Sequence, residues 1–120
     1  MFPADVENFI GGVFVPAHSG DTFDNVNPHD GSVVGQVARS AAQDVEAAIE
    51  SARKAYPGWR DTNVVARGDL VRAIAVRMQE RKDEIAAIVA TESGKILSHA
   101  MGETQAAIEM GFFVAGKGRP

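Results

Sequence analysis

The sequence contains no cysteine, and this absence removes several classes of chemistry. A disulfide framework, a thiolate metal site and a cysteine nucleophile are all excluded within these 120 residues. The three histidines, His18, His29 and His99, have no histidine three or four residues away, so the spacing of a zinc-binding helix is missing as well. Residue spacing by itself therefore predicts no active site in this sequence.

Long apolar runs and an excess of positive charge are also missing. No run of about 18 apolar residues is present, and the N-terminal residues, with Asp5 and Glu7, do not resemble a signal peptide. The formal net charge is −4, and residues 1–40 carry a single base, Arg39, against five acids. Without a basic stripe to neutralise phosphates, nucleic acid is an unexpected partner. We expect a cytoplasmic protein that binds neither nucleic acid nor membrane.

The composition is that of an ordinary globular domain, with 45% apolar and 23% charged residues. Strand-like sequence changes to helix-like sequence near Ser40. We therefore predict two parts, an N-terminal β-hairpin arm over residues 1–39 and a helical part over residues 40–120. Strands followed by helices indicate the α+β class for this chain taken alone.

The first part reads as short strands separated by glycine turns. Gly11 and Gly12 supply positive φ for a tight hairpin between residues 9–10 and Val13–Val15. Alternating residues over 22–26 and 32–37 predict two further strands, joined by a turn. We expect these strands to form one antiparallel meander.

The second part begins with a helix from Ser40, whose spacing to Gln43 matches a capping box. Its apolar stripe is followed by Pro57 and Gly58, which predict its end, and Trp59 then lies in the connection to the next helix. The stripe consists of Val45, Ala48, Ile49, Ala52 and Tyr56.

A longer helical segment covers residues 61–95. Because this exceeds the usual helix length, a break is expected near Arg81 and Lys82. Gly94 is suited to the left-handed conformation that ends a helix. Its apolar stripe needs a cover, and the stripe is formed by Leu70, Ile74, Met78, Ile85 and Val89.

The last helix is predicted from Ser98, as N-cap, to about Ala115. Gly102 and Gly111 each cost about 1 kcal/mol relative to alanine inside a helix, so both require close packing to be explained. The predicted apolar face contains Met101, Ile108, Phe112 and Ala115, with Ala107, Gly111 and Phe113 beside it.

Glu92 and Glu103 are the carboxylates with the best case for chemistry, since each lies near a helix terminus and a glycine. A general base needs a substrate or nucleophile within hydrogen-bond reach, and no companion is recognisable in the sequence. A salt-bridged or capping carboxylate is the favoured interpretation of both.

Taken together, these landmarks resemble the N-terminal segment of the aldehyde dehydrogenase superfamily over residues 8–116. The glycine hairpin, the Asn27-Pro28 turn, the first helix with its following tryptophan, and the Glu-x-Gly-Lys motif occur in the family's order. The residues that carry the resemblance are Phe9, Ile10, Gly11, Gly12, Phe14, Val15, Asn27, Pro28, Gly31, Val34, Asp44, Val45, Ala48, Ile49, Ala52, Trp59, Arg67, Leu70, Ile74, Arg81, Glu84, Glu92, Gly94, Lys95, Glu103, Ala115 and Gly116.

The resemblance implies an α/β family fold with a Rossmann-type coenzyme domain, and oxidation of an aldehyde to a carboxylate with NAD or NADP. In the family a cysteine attacks the aldehyde and a glutamate activates the hydrolytic water, and these residues lie downstream of this segment. The resemblance therefore implies that this chain carries no catalytic or coenzyme-binding residue and is inactive when alone. It also implies that the full-length protein is a homo-oligomer, either a dimer or a tetramer.

Some members of the family also bind a structural monovalent cation through backbone oxygens and a carboxylate. The matching positions resemble Val26, through its carbonyl, and Glu103. The alternative to the whole interpretation is a stand-alone, non-enzymatic α+β interaction module. Neither the aldehyde substrate nor the preference between NAD and NADP follows from these residues.

Overall fold

The structure, a computed structural model, describes residues 5–118. Short strands come first and helices follow, so the expected α+β organisation is confirmed. The strands are β1 (Asp5–Val6), β2 (Asn8–Ile10), β3 (Val13–Val15), β4 (Thr22–Val26) and β5 (Val33–Ala38). The helices are α1 (Ala42–Asp61), α2 (Val64–Glu80), α3 (Lys82–Ser93) and α4 (Leu97–Gly116).

The chain divides into two compact units, residues 1–61 and residues 62–120. In the first unit, β2 and β3 form the predicted hairpin, and Gly11 and Gly12 have φ of 64° and 87° at its turn. The mirror-image turn that these angles allow matches the twist of the strands.

The prediction of a single antiparallel meander was wrong, because the strands form two sheets. One is the β2–β3 hairpin, and the other has the order β1-β5-β4. β4 and β5 pair antiparallel as predicted, whereas β1 pairs parallel with β5, with Asp5 opposite Gln36. A strand of two residues is too short to show alternation, so the sequence gives no signal for β1.

The predicted start and end of α1 were also wrong. The carboxylate that caps its first turn belongs to Asp44, which accepts from the backbone N–H of Ala41, while the Ser40 hydroxyl donates to Asn8. Pro57 lies inside the helix, and Trp59 is helical. Proline removes one backbone donor, but residues 58–61 keep helical geometry after it, so the helix continues.

The long helical segment of the second unit breaks where the sequence predicts. Asn63 caps α2 by accepting from the Val65 N–H at 2.8 Å. Arg81, with φ −110° and ψ 19°, separates α2 from α3. Gly94 ends α3 in the left-handed conformation at φ 69°, as expected.

Helix α4 packs against α2 and α3. Its N-cap position is Ile96 rather than Ser98, and no side chain caps it. The glycine at position 111 is explained by close packing, because a Cβ there would lie 3.1 Å from the Cβ of Ala75. A Cβ at Gly102 meets nothing within 4 Å, so that glycine has no packing reason among the described residues. None of the helices in the described part of the chain is long and apolar enough to cross a bilayer.

Candidate functional site

Glu103 lies in the second turn of α4, where its carboxylate faces the side chain of Lys95. The Lys95 Nζ donates to both Oε1 and Oε2 of Glu103 at 2.6 Å. Lys95 follows the left-handed Gly94, so the ion pair connects the α3–α4 turn to α4. The salt-bridge interpretation of Glu103 therefore agrees with the structure.

Val26, the other predicted cation position, is the last residue of β4. It pairs with Val33, and the register shifts between Asn25 and Val26. Within residues 5–118 no group of three or more His, Cys, Asp or Glu side chains is arranged to hold a metal ion. A cation at Val26 and Glu103 stays a prediction at this point.

The histidines and Glu92 lie on the surface. The backbone N–H of His18 donates to Asp44, that of His29 donates to the Asn27 side chain, and the side chains of all three histidines are exposed. Glu92 is exposed near the end of α3. The structure brings none of these four residues into a common site with another.

An apolar groove runs across the junction of α2 and α3 in the second unit. Leu70 and Ile74, from the predicted stripe, are 51% and 55% exposed. The groove is lined by Ala73, Ile74, Arg77, Met78, Arg81 and Ile85. The stripe that the sequence shows is therefore only partly covered by the unit that carries it.

Both arginines that line this groove form ion pairs with glutamates. Arg77 contacts Glu80 at 2.6 Å, and Arg81 forms a two-pronged pair with Glu84 at 2.8 and 2.7 Å. The hydrogen bonds from Arg81 lower the pKa of Glu84, and the Glu84 carboxylate raises the pKa of Arg81. Because both guanidinium groups already have carboxylate partners, the groove presents mainly an apolar surface.

The interior of the second unit is built mostly from small side chains. Within residues 62–118 the buried residues are Ala75, Ala86, Ala100, Thr104, Ile108 and Ala115, and Ile108 is the only large side chain among them that is fully buried. Meanwhile Met110, Phe113 and Val114 of α4 are exposed. Burial of apolar area is the main stabilising term in folding, so the larger apolar side chains contribute little while they face solvent.

The first unit also leaves apolar side chains uncovered. Phe9 and Phe14 pair across the hairpin with ring centroids 5.0 Å apart, yet both are exposed. Along α1, much of the predicted stripe faces solvent, and its large exposed side chains are Val45, Ile49 and Tyr56, with Trp59 nearby. In each unit, therefore, the surface carries apolar side chains in the periodic positions that normally face a core.

Asp44 makes a structural contact that sequence reasoning missed. Its carboxylate accepts from the N–H of Ala41 and of His18, both at 2.8 Å, and these bonds lower its pKa. The local sequence could have predicted the bond from the Ala41 N–H, since an acidic residue three positions after the N-cap fits half of a capping box. The bond from His18 spans 26 residues and had none.

Comparison with known proteins gives the family. The family model described as "Aldehyde dehydrogenase family" matches residues 14–120. The alpha-ketoglutaric semialdehyde dehydrogenase of Bacillus subtilis (strain 168) is 40% identical over 112 residues, which is 92% of this chain and 23% of that protein. The chain thus spans about a quarter or less of the length of such relatives.

Solved structures agree with this result. An NAD-dependent aldehyde dehydrogenase from Sinorhizobium meliloti matches with a TM-score of 0.90 and 33% identity, covering 94% of this chain and 23% of that chain. A betaine aldehyde dehydrogenase from Staphylococcus aureus, in complex with NAD+, matches with a TM-score of 0.89 and 28% identity over 92% of this chain and 22% of its own. The resemblance inferred from sequence is confirmed, and the chain belongs to the aldehyde dehydrogenase family, as an N-terminal segment of its fold.

Proposed function

We propose that this chain is the N-terminal scaffold of an enzyme that oxidises an aldehyde to a carboxylate with NAD+ or NADP+. The observation that carries the proposal is the family match over residues 14–120, together with the aldehyde dehydrogenase activity of the relatives. Several of the structural neighbours were solved in complex with NAD+, which supports a nicotinamide cofactor. NADP as an alternative rests on the family resemblance.

The contribution of this segment is packing surface. The groove between α2 and α3, and the exposed side chains of α1, fit a role as contact faces for the rest of a subunit. In the relatives this segment is only 18% to 23% of the length, so the rest of the subunit is large enough to cover these faces. Burying Leu70 or Ile74 fully would contribute on the order of 1 kcal/mol each, because about half of each side chain is already shielded.

The chain alone is inactive in this proposal. Aldehyde oxidation in the family uses a cysteine nucleophile, and this sequence has none. The aldehyde substrate, the coenzyme pocket and the contacts of a homo-oligomer belong to the rest of the fold, and the enzyme acts in the cytoplasm.

A chimera tests the proposal. Residues 1–120 replace the matching N-terminal quarter of the Bacillus subtilis relative, and oxidation of that relative's own aldehyde is followed by NADH or NADPH absorbance. We expect the chimera to oxidise the aldehyde, because the substituted segment supplies scaffold rather than reacting groups.

The control is the same relative with its N-terminal quarter deleted, which should be inactive. A chimera that is folded and binds coenzyme yet has no activity above this control would contradict the proposal. That result would favour the stand-alone interaction module.

A further inference from the structure

We infer that the ammonium group of Lys95 is the positive charge that neutralises Glu103, and that the Glu103 carboxylate is therefore not a ligand of a metal cation. Both carboxylate oxygens of Glu103 lie 2.6 Å from Lys95 Nζ. The site that the resemblance suggested at Glu103 therefore does not fit the groups that the structure brings together there.

The geometry of the pair supports this role. An ammonium is a compact point charge with three donors, and here two of its contacts are the two oxygens of one carboxylate. A monovalent cation at this carboxylate would have to approach the same two oxygens and would be repelled by the Lys95 charge.

The exposure of the two side chains indicates how the pair is held. Lys95 is 31% exposed and Glu103 is 59% exposed. The lysine is the less exposed partner, and it lies in the connection between α3 and α4. Removing Glu103 therefore leaves a half-buried ammonium without its counter-charge, which costs more than the loss of an exposed pair.

The position of the pair gives it a structural consequence. Lys95 lies in the short connection between α3 and α4, and Glu103 lies eight residues later. Because the Gly94 turn changes the chain direction, this pair fixes how α4 leaves the turn, which no contact within a single helix can do. Lys95 is a positioning residue for α4.

The test uses the full chain and the same chain with Lys95→Met, Glu103→Gln, or both. Thermal midpoints are measured in KCl, NaCl and tetramethylammonium chloride at equal ionic strength. We expect each single substitution to lower the midpoint, the double substitution to cost less than their sum, and wild type to show the same midpoint in all three salts.

The Glu50 and Lys54 pair provides a matched control, since both side chains are exposed on α1. Glu50→Gln should shift the midpoint less than Glu103→Gln does. Should Lys95→Met fail to fold, Lys95→Gln also removes the charge but keeps a polar end, and with Glu103→Gln it completes a second cycle. A midpoint that rises specifically in KCl or NaCl, and loses that rise in Glu103→Gln, would overturn the inference, and so would additive effects of the two substitutions.

Discussion

Gly68 of α2 faces the backbone of Ala115 in α4 so closely that a Cβ added to it would lie 2.5 Å from the Ala115 carbonyl oxygen. The neighbour is backbone, so it cannot rotate away, and the helices would have to separate. The contact of Gly111 with Ala75 repeats the pattern farther along the same pair. Small residues thus set the distance between α2 and α4.

Gly68→Ala should therefore destabilise the protein, although alanine is the better helix former. We expect a loss of about 1–3 kcal/mol in the free energy of unfolding, because an overpacked contact outweighs the gain in helix propensity. The measurement is urea unfolding followed by far-UV circular dichroism.

Gly102→Ala is the matched control, since a Cβ there meets nothing within 4 Å. It should raise the free energy of unfolding by up to about 1 kcal/mol. Stabilisation by both substitutions, or by Gly68→Ala alone, would show that α2 and α4 are not packed this closely.

Gly94→Ala tests the turn that ends α3. Gly94 has φ of 69°, where a Cβ is strained, so alanine should cost about 1–2 kcal/mol in the free energy of unfolding. Gly94→Asn should cost less, because asparagine tolerates this conformation better. Equal stability of the alanine variant and wild type in a thermal melt would exclude a left-handed residue at this position.

Asp44→Asn tests the capping carboxylate of α1 through pH. Hydrogen bonds from the Ala41 and His18 N–H groups lower the pKa of Asp44 below its ordinary value of 3.8. The stabilisation is therefore present above the unfolded-state pKa, and it is lost as the pH falls through the folded-state pKa. Asp44→Asn should lower the thermal midpoint at neutral pH.

The same variant should also flatten the decline of the midpoint below about pH 4, since the titrating group is gone. Glu46→Gln, on the exposed side of α1, is the control and should leave that decline unchanged. If the midpoint of Asp44→Asn falls with acid as steeply as that of wild type, Asp44 is not the group responsible.

Ile108→Ala and Ile74→Ala should differ strongly in the isolated chain, although each removes the same atoms. Ile108 is fully buried, so its truncation should cost about 2–5 kcal/mol in the free energy of unfolding. Ile74 is 55% exposed, and its truncation should cost under about 1 kcal/mol. Similar losses from both variants, in urea melts, would mean that the interior of the second unit is not centred on Ile108.

Local sequence signals predicted the parts of the fold that depend on local physics. The glycine hairpin, the break at Arg81 and the left-handed Gly94 each follow from the conformational freedom of one residue or the length limit of one helix. Pro57 shows the limit of that reasoning, since helical geometry continued past a residue that usually ends it.

Contacts between distant residues could not be predicted in the same way. The parallel pairing of β1 with β5 and the bond from His18 to Asp44 depend on chain reversals whose directions the sequence does not state. A salt bridge was predicted as one interpretation of Glu103, but the sequence did not identify Lys95 as its partner. The apolar stripe of α2 was recognised, but periodicity identifies an apolar face without saying what covers it.

The proposed scaffold role requires that the groove at Ile74 pack against polypeptide beyond this segment. Because the sequence has no cysteine, Ile74→Cys places a single thiol reporter in the segment. The measurement is its maleimide labelling rate, read by mass spectrometry, in the isolated chain and in the active chimera. We predict rapid labelling in the chain and labelling about a hundredfold slower in the chimera. Equal rates in the two proteins would contradict the claim.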